Sequence, residues 1–135
     1  MNEALRAAVA ARARGRCEYC GLPADYSSAA FEVDHILPRA AQGSDHFLNL
    51  AWACPSCNDH KAAATQAPDP ETGVLVALFH PRQDIWLEHF RWSTDGLSVE
   101  GITPTGRATV QRLQMNRTPS VNLRRILFAF GLHPG

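Results

Sequence analysis

Two Cys-x-x-Cys pairs, "CEYC" at 17–20 and "CPSC" at 54–57, constrain this chain more than any other feature. The pairs begin 37 residues apart and use every cysteine in the sequence. Such spacing lets Cys17, Cys20, Cys54 and Cys57 converge as four thiolates on one tetrahedral Zn²⁺. Disulfides are disfavoured in a reducing cytosol, and a redox Cys-x-x-Cys normally stands alone near a βαβ pattern, which this sequence lacks. Four thiolates leave no open coordination position, so the expected zinc is structural. Its binding contributes on the order of 10 kcal/mol to folding.

A length of 135 residues suits one domain, 1–135, that buries a core without disulfides. No segment approaches the roughly 18 uninterrupted apolar residues of a membrane span, and the Ala/Arg-rich start has no signal-peptide apolar region. A cytoplasmic protein with no membrane partner is therefore expected. The net charge is zero, with thirteen basic and thirteen acidic residues. Contact with a polyanion must then come from local patches. The one such patch in the sequence is 101–135, with five Arg and no acid. Arg107, Arg112, Arg117, Arg124 and Arg125 read first as solvated helix faces and second as contacts to a nucleic-acid backbone.

Periodicity predicts a helix over 3–14, ended by Gly15, and a short strand over 31–36. "PSCNDHKAAA" reads as a helix with Pro55 at an early position, where its missing N–H is harmless. "TQAPDPETG" (65–73) reads as a loop or linker. The segments 74–80, 85–92 and 97–102 read as strands of one small antiparallel sheet, the last two joined by the turn "STDG". Two helices close the chain, one behind Thr103 and one behind Thr118. In the second, Leu123, Ile126, Leu127 and Phe130 have the spacing of a buried face.

The stretch "FEVDHILP" (31–38) sets Asp34 beside His35 at the end of a strand, inside the excursion that the cysteines close. Neighbours on extended backbone point to opposite faces. One can thus hold a metal on one side of a phosphate while the other reaches water on the opposite side, as in-line displacement requires. The string "EVDHILPRAAQGSDHFLNLAWACPSCNDHKA" resembles the HNH endonuclease motif of ββα-metal nucleases, in the zinc-stabilised form that ends in Cys-Asn. The resemblance covers 17–64: the Asp-His pair, an Asn-Leu fourteen residues beyond the His, Cys-x-x-Cys-Asn and a trailing Lys fall in order.

That resemblance implies a metal-dependent endonuclease acting on DNA. His35 would be the general base, Asp34 and Asn58 would bind one divalent ion (Mg²⁺, Mn²⁺ or Ni²⁺), and Asn49 would brace the loop. Arg39 and Lys61 are the candidates for contacting the DNA backbone. Asn58 stands where a third His gives the family its name, and His60 is a weaker alternative ligand. The expected fold is α+β: a ββα-metal core over 15–64 with a four-cysteine structural zinc, an N-terminal helix, and a β-hairpin and two-helix extension over 74–131. Two other readings stay open. In one the chain is a non-catalytic zinc module that binds DNA or protein, with Asp34 as a turn cap and His35 as a structural imidazole. In the other it is a nuclease toxin or effector domain.

Overall fold

The computed structural model describes residues 1–135 as a mixed α and β chain with three separate two-stranded antiparallel sheets. Helix α1 (Glu3–Arg12) starts where the Asn2 carboxamide oxygen accepts the Leu5 N–H at 2.7 Å, filling one of the donors a helix start leaves open. Strands β1 (Glu32–His35) and β2 (Leu50–Ala53) pair with Asp34 opposite Ala51 and His35 opposite Leu50. All four residues of β2 are buried, so this strand is the floor on which the rest packs. Arg12 holds α1 to it. The guanidinium lies 3.7 Å from the Phe47 ring centroid and donates to the carbonyls of Phe47 and Leu50. Helix α2 (Pro55–Lys61) follows β2 directly, with the Cys54 sulfur as its cap. No helix of the protein is long and apolar enough to cross a membrane.

Beyond α2 the structure departs from the sequence expectation in three places. Segment 65–73 is no linker: β3 (Gln66–Pro68) pairs with β4 (Leu75–Ala77), and the turn between them is built on Asp69. That carboxylate accepts from the Glu71 N–H, the Thr72 hydroxyl and both Nε and Nη2 of Arg107. It is fully buried from solvent. The expected three-stranded sheet is therefore two hairpins. In 85–92 the first half is a single helical turn, α3 (Trp86–His89), and only β5 (Phe90–Trp92) is extended, pairing with β6 (Val99–Gly101) across the "STDG" turn. Trp86 packs on Phe90 and Trp92 with ring centroids 5.0 and 5.3 Å away, whereas a continuous strand would set Trp86 and Phe90 about 13 Å apart along one face.

Helix α4 (Pro104–Arg112) is capped by the Thr103 hydroxyl. Its Gly106 lies against the His89 carbonyl, where a Cβ would come within 2.0 Å of the oxygen, so only glycine lets α4 approach this closely. Helix α5 (Thr118–Ala129) shows the third departure. Leu127 is buried, but Ile126 and Phe130 are 56% and 76% exposed, and the other deeply buried residue is Arg124. Arg124 turns that face inward because its guanidinium finds carbonyl partners at Leu97 (2.9 Å) and Met115 (2.6 Å), with the Asn116 amide oxygen at 3.1 Å. The remaining C-terminal arginines are engaged too. Arg107 pairs with Asp69 and Glu71, Arg112 donates to the His60 and Lys61 carbonyls, Arg117 reaches the Ser56 hydroxyl, and Arg125 meets Asn122. Of these five arginines only Arg124 is buried, and Arg112 and Arg125 keep exposed side chains while bonding within the chain.

Hydrogen bonds from Arg107 hold the Asp69 carboxyl well below the usual carboxylate range. A folded-state value lower than the unfolded one means that the unfolded chain takes up the proton first. The stabilisation is then complete above the unfolded value of about 3.9 and is lost as pH falls through the folded one. Urea unfolding between pH 5 and pH 2 should accordingly show a shallower loss of stability for Asp69→Asn than for the parent protein.

Candidate active site

The two Cys-x-x-Cys turns meet. The four Sγ atoms lie within 4.8 Å of one another, all four cysteines are buried, and none is in a disulfide. Cys20 Sγ and Cys54 Sγ are 3.7 Å apart, far beyond a 2.05 Å S–S bond but close to the edge of a tetrahedron with metal–sulfur bonds of about 2.3 Å. In each turn the first sulfur accepts the N–H of the second cysteine, at 3.4 Å in Cys17–Cys20 and 3.3 Å in Cys54–Cys57. Crowding by the other three sulfurs, and then burial, pushes the Cys57 thiol well above its ordinary value. A bound dication reverses that preference, so this donor set fits a metal. Glu18, inside the first turn, is tied to β2 in both directions: its N–H donates to the Trp52 carbonyl and its carboxylate accepts the Trp52 N–H, each at 2.8 Å.

Asp34 points from β1 into the space between this cluster and α2, and is 4% exposed. Its Oδ2 accepts the Tyr19 hydroxyl at 2.6 Å and its Oδ1 accepts Lys61 Nζ at 3.2 Å. Burial raises the Asp34 carboxyl above its ordinary value, against the opposing pull of Lys61 and the Tyr19 hydrogen bond. Lys61 is 1% exposed, and its other two donors reach the carbonyls of His35 and Ile36, both at 3.3 Å. The ammonium's three hydrogens therefore all have partners inside the protein. Lys61, expected as a contact to a DNA backbone, is thus turned inward with its ammonium wholly engaged by the chain.

His35 faces the other way. Its Nε2 lies 2.7 Å from Asp45 Oδ1, and Arg39 Nη2 donates to the same oxygen at 3.0 Å. His35 and Arg39 hold the Asp45 carboxyl below its usual range. The Arg39 side chain is 64% exposed. Asn49 spans the intervening loop with three bonds: its Oδ1 accepts the Leu37 N–H at 2.9 Å, and its Nδ2 donates to the carbonyls of Leu37 (3.0 Å) and Ser44 (2.8 Å). Cys54, Cys57, Asn58 and Lys61 follow i, i+3, i+4, i+7 spacing, so half-buried Asn58 stands on the α2 face that carries both the cluster and the Asp34 partner. The lower-ranked alternative His60 is bound instead to its own helix, with Nδ1 2.7 Å from the Ser56 carbonyl oxygen.

The sequence reading missed two residues of this arrangement. Tyr19 had a signal, its place between the first two cysteines, which ties its ring to the cluster. Asp45 had none beyond lying in the loop that Asn49 spans.

Residues 17–63 match the HNH endonuclease family. The cysteine cluster, Asp34, His35, Asn49, Asn58 and Lys61 all lie within the matched residues, and the α+β architecture with four clustered cysteines is consistent with the zinc-stabilised form of that family. The chain is also similar to two CRISPR-associated endonucleases Cas9. It is 47% identical to that of Corynebacterium diphtheriae over 47 residues, covering 34% of this chain and 4% of the relative. It is 30% identical to that of Actinomyces naeslundii over 105 residues, covering 73% of this chain and 9% of the relative. The chain thus spans less than a tenth of the length of these curated relatives. No solved structure matches it significantly.

Since the cluster joins segments far apart in sequence, Cys57→Ser should release bound metal and lower the melting temperature by more than 10 °C, read by metal analysis and circular dichroism on the purified protein. A stoichiometry other than one zinc per chain in the parent protein would contradict the four-thiolate assignment.

Proposed function

We propose that this protein is a metal-dependent endonuclease that hydrolyses DNA phosphodiester bonds, with zinc in the four-cysteine cluster and a second divalent ion on Asp34 and Asn58. The observation that carries this reading is the opposed direction of two neighbours on β1. Asp34 turns toward α2, where Lys61 meets it and Asn58 stands one turn earlier on the helix, while His35 turns toward Asp45. A carboxylate and an amide oxygen suit a hard cation such as Mg²⁺ or Mn²⁺, which Asp34 and Asn58 would hold. When bound, such an ion stabilises charge on the departing oxygen.

The remaining chemistry belongs to the chain's own side chains. An ionised Asp45 can only accept a hydrogen bond, so it selects the His35 tautomer with the proton on Nε2 and the lone pair on Nδ1. Nδ1 is then the atom that takes a proton from the attacking water. Asp45 steadies the imidazolium that results, as a carboxylate does behind a catalytic histidine. Asn49 fixes the loop from which Asp45 projects. Arg39, exposed and already beside this pair, supplies the positive charge for a DNA phosphate, and the salt dependence of binding should reflect that contact.

Nicking of supercoiled plasmid should require Mg²⁺ or Mn²⁺ and stop with EDTA under conditions where metal analysis shows zinc retained. His35→Ala should lower the rate by about 10²- to 10⁴-fold with an unchanged melting curve. Asp45→Asn should give a smaller loss, because the base remains while its orientation is relaxed. A parent protein that binds DNA but never nicks it at any metal concentration would mark the domain as a binding module instead.

A further inference from the structure

We propose that Tyr19 is a positioning residue for Asp34: its phenol, planted between two cysteines of the cluster, sets the direction in which the carboxylate meets an incoming divalent cation. This rests on the reading of Asp34 as a ligand of that cation.

Tyr19 is 1% exposed and restrained from several sides. Its backbone lies between Cys17 and Cys20, its carbonyl accepts the Trp86 indole N–H at 2.8 Å, and its ring meets Phe79 edge-on at 6.4 Å between centroids. The hydroxyl at the end of this fixed ring donates to Asp34 Oδ2 at 2.6 Å. The terminal torsion of an aspartate is soft, with a broad range of carboxylate orientations. Here it is pinned at both ends, by Tyr19 at Oδ2 and by Lys61 at Oδ1. Each carboxylate oxygen keeps lone-pair capacity beyond the bond it already accepts, so the pinned group can still ligate. Without the phenol, Oδ2 is free to swing and the carboxylate follows its remaining partner, Lys61. Groups that hold a ligating side chain in place typically contribute about 10- to 100-fold to metal affinity. The same geometry makes the cation site depend on the cluster, since the pin is rooted in the turn that carries Cys17 and Cys20.

The test uses the full chain without DNA, zinc-loaded, with Mn²⁺ binding followed by the electron paramagnetic resonance of free Mn²⁺. Tyr19→Phe should weaken Mn²⁺ binding by about 10- to 100-fold while zinc content stays at one per chain, and nicking should need correspondingly more Mn²⁺. In an Asp34→Asn background the same change should add nothing, because its effect passes through the carboxylate. If Asp34→Asn weakens Mn²⁺ binding and Tyr19→Phe does not, the positioning role is overturned and the active-site reading stands. If Asp34→Asn itself leaves Mn²⁺ binding unchanged, the ligand assignment fails and the positioning role with it. Should Tyr19→Phe not fold, the parent chain labelled with 3-fluorotyrosine at its two tyrosines decides the matter. The fluorine resonance of Tyr19 should move on adding Mg²⁺ to that protein and stay still in Asp34→Asn, and an unmoved resonance in the parent would overturn the proposal.

Discussion

Everything around the candidate site depends on the meeting of four sulfurs. They join the turn after α1 to the start of α2, and so close the segment between them into a loop with fixed ends. Within that loop β1 and β2 need only a short ladder, because the ends cannot separate. Three contacts then carry the cluster's position outward: Glu18 to the backbone of Trp52, Tyr19 to Asp34, and the Cys54 sulfur to the first turn of α2. A site whose parts come from a strand and a helix thus inherits its geometry from one point of attachment.

The second constraint is the buried pair of Asp34 and Lys61. A charge removed from water must be matched by an opposite charge or several hydrogen bonds. The ammonium has both: one carboxylate oxygen and two carbonyls at the end of β1. It therefore fixes the exit of the strand together with the carboxylate. Removing one member alone would leave an uncompensated buried charge, which typically costs about 3–5 kcal/mol. A chain that keeps such a pair beside a cysteine cluster has its polar interior organised around Asp34, whose burial works against its ionisation while its two partners work for it.

Much of this was legible in the sequence, where local chemistry decides the outcome. The Cys-x-x-Cys spacing announced the cluster, the β-like pattern of 31–36 announced β1, "STDG" announced the β5–β6 turn, and Thr103 announced the start of α4. What stayed hidden depends on partners distant in the chain. Segment 65–73 has the Pro and Gly content of a linker, and the partner that buries the charge of its turn, Arg107, lies 38 residues beyond Asp69. The apolar spacing of α5 suggested a face containing Ile126 and Phe130, but carbonyls at Leu97 and Met115 draw Arg124 inward and rotate the helix accordingly. Lys61 reads from its place in the motif as a contact to the DNA backbone, and nothing local says that a buried carboxylate waits for it.

Arg112 reaches from α4 to the carbonyls of His60 and Lys61, the open end of α2, and Arg117 holds Ser56 near its beginning. The short helix bearing Asn58 is thereby gripped at both extremities by residues 51 to 61 positions downstream. A fragment cut at residue 63, where the family match ends, would retain every proposed ligand and lose the arginines that clasp the helix bearing Asn58.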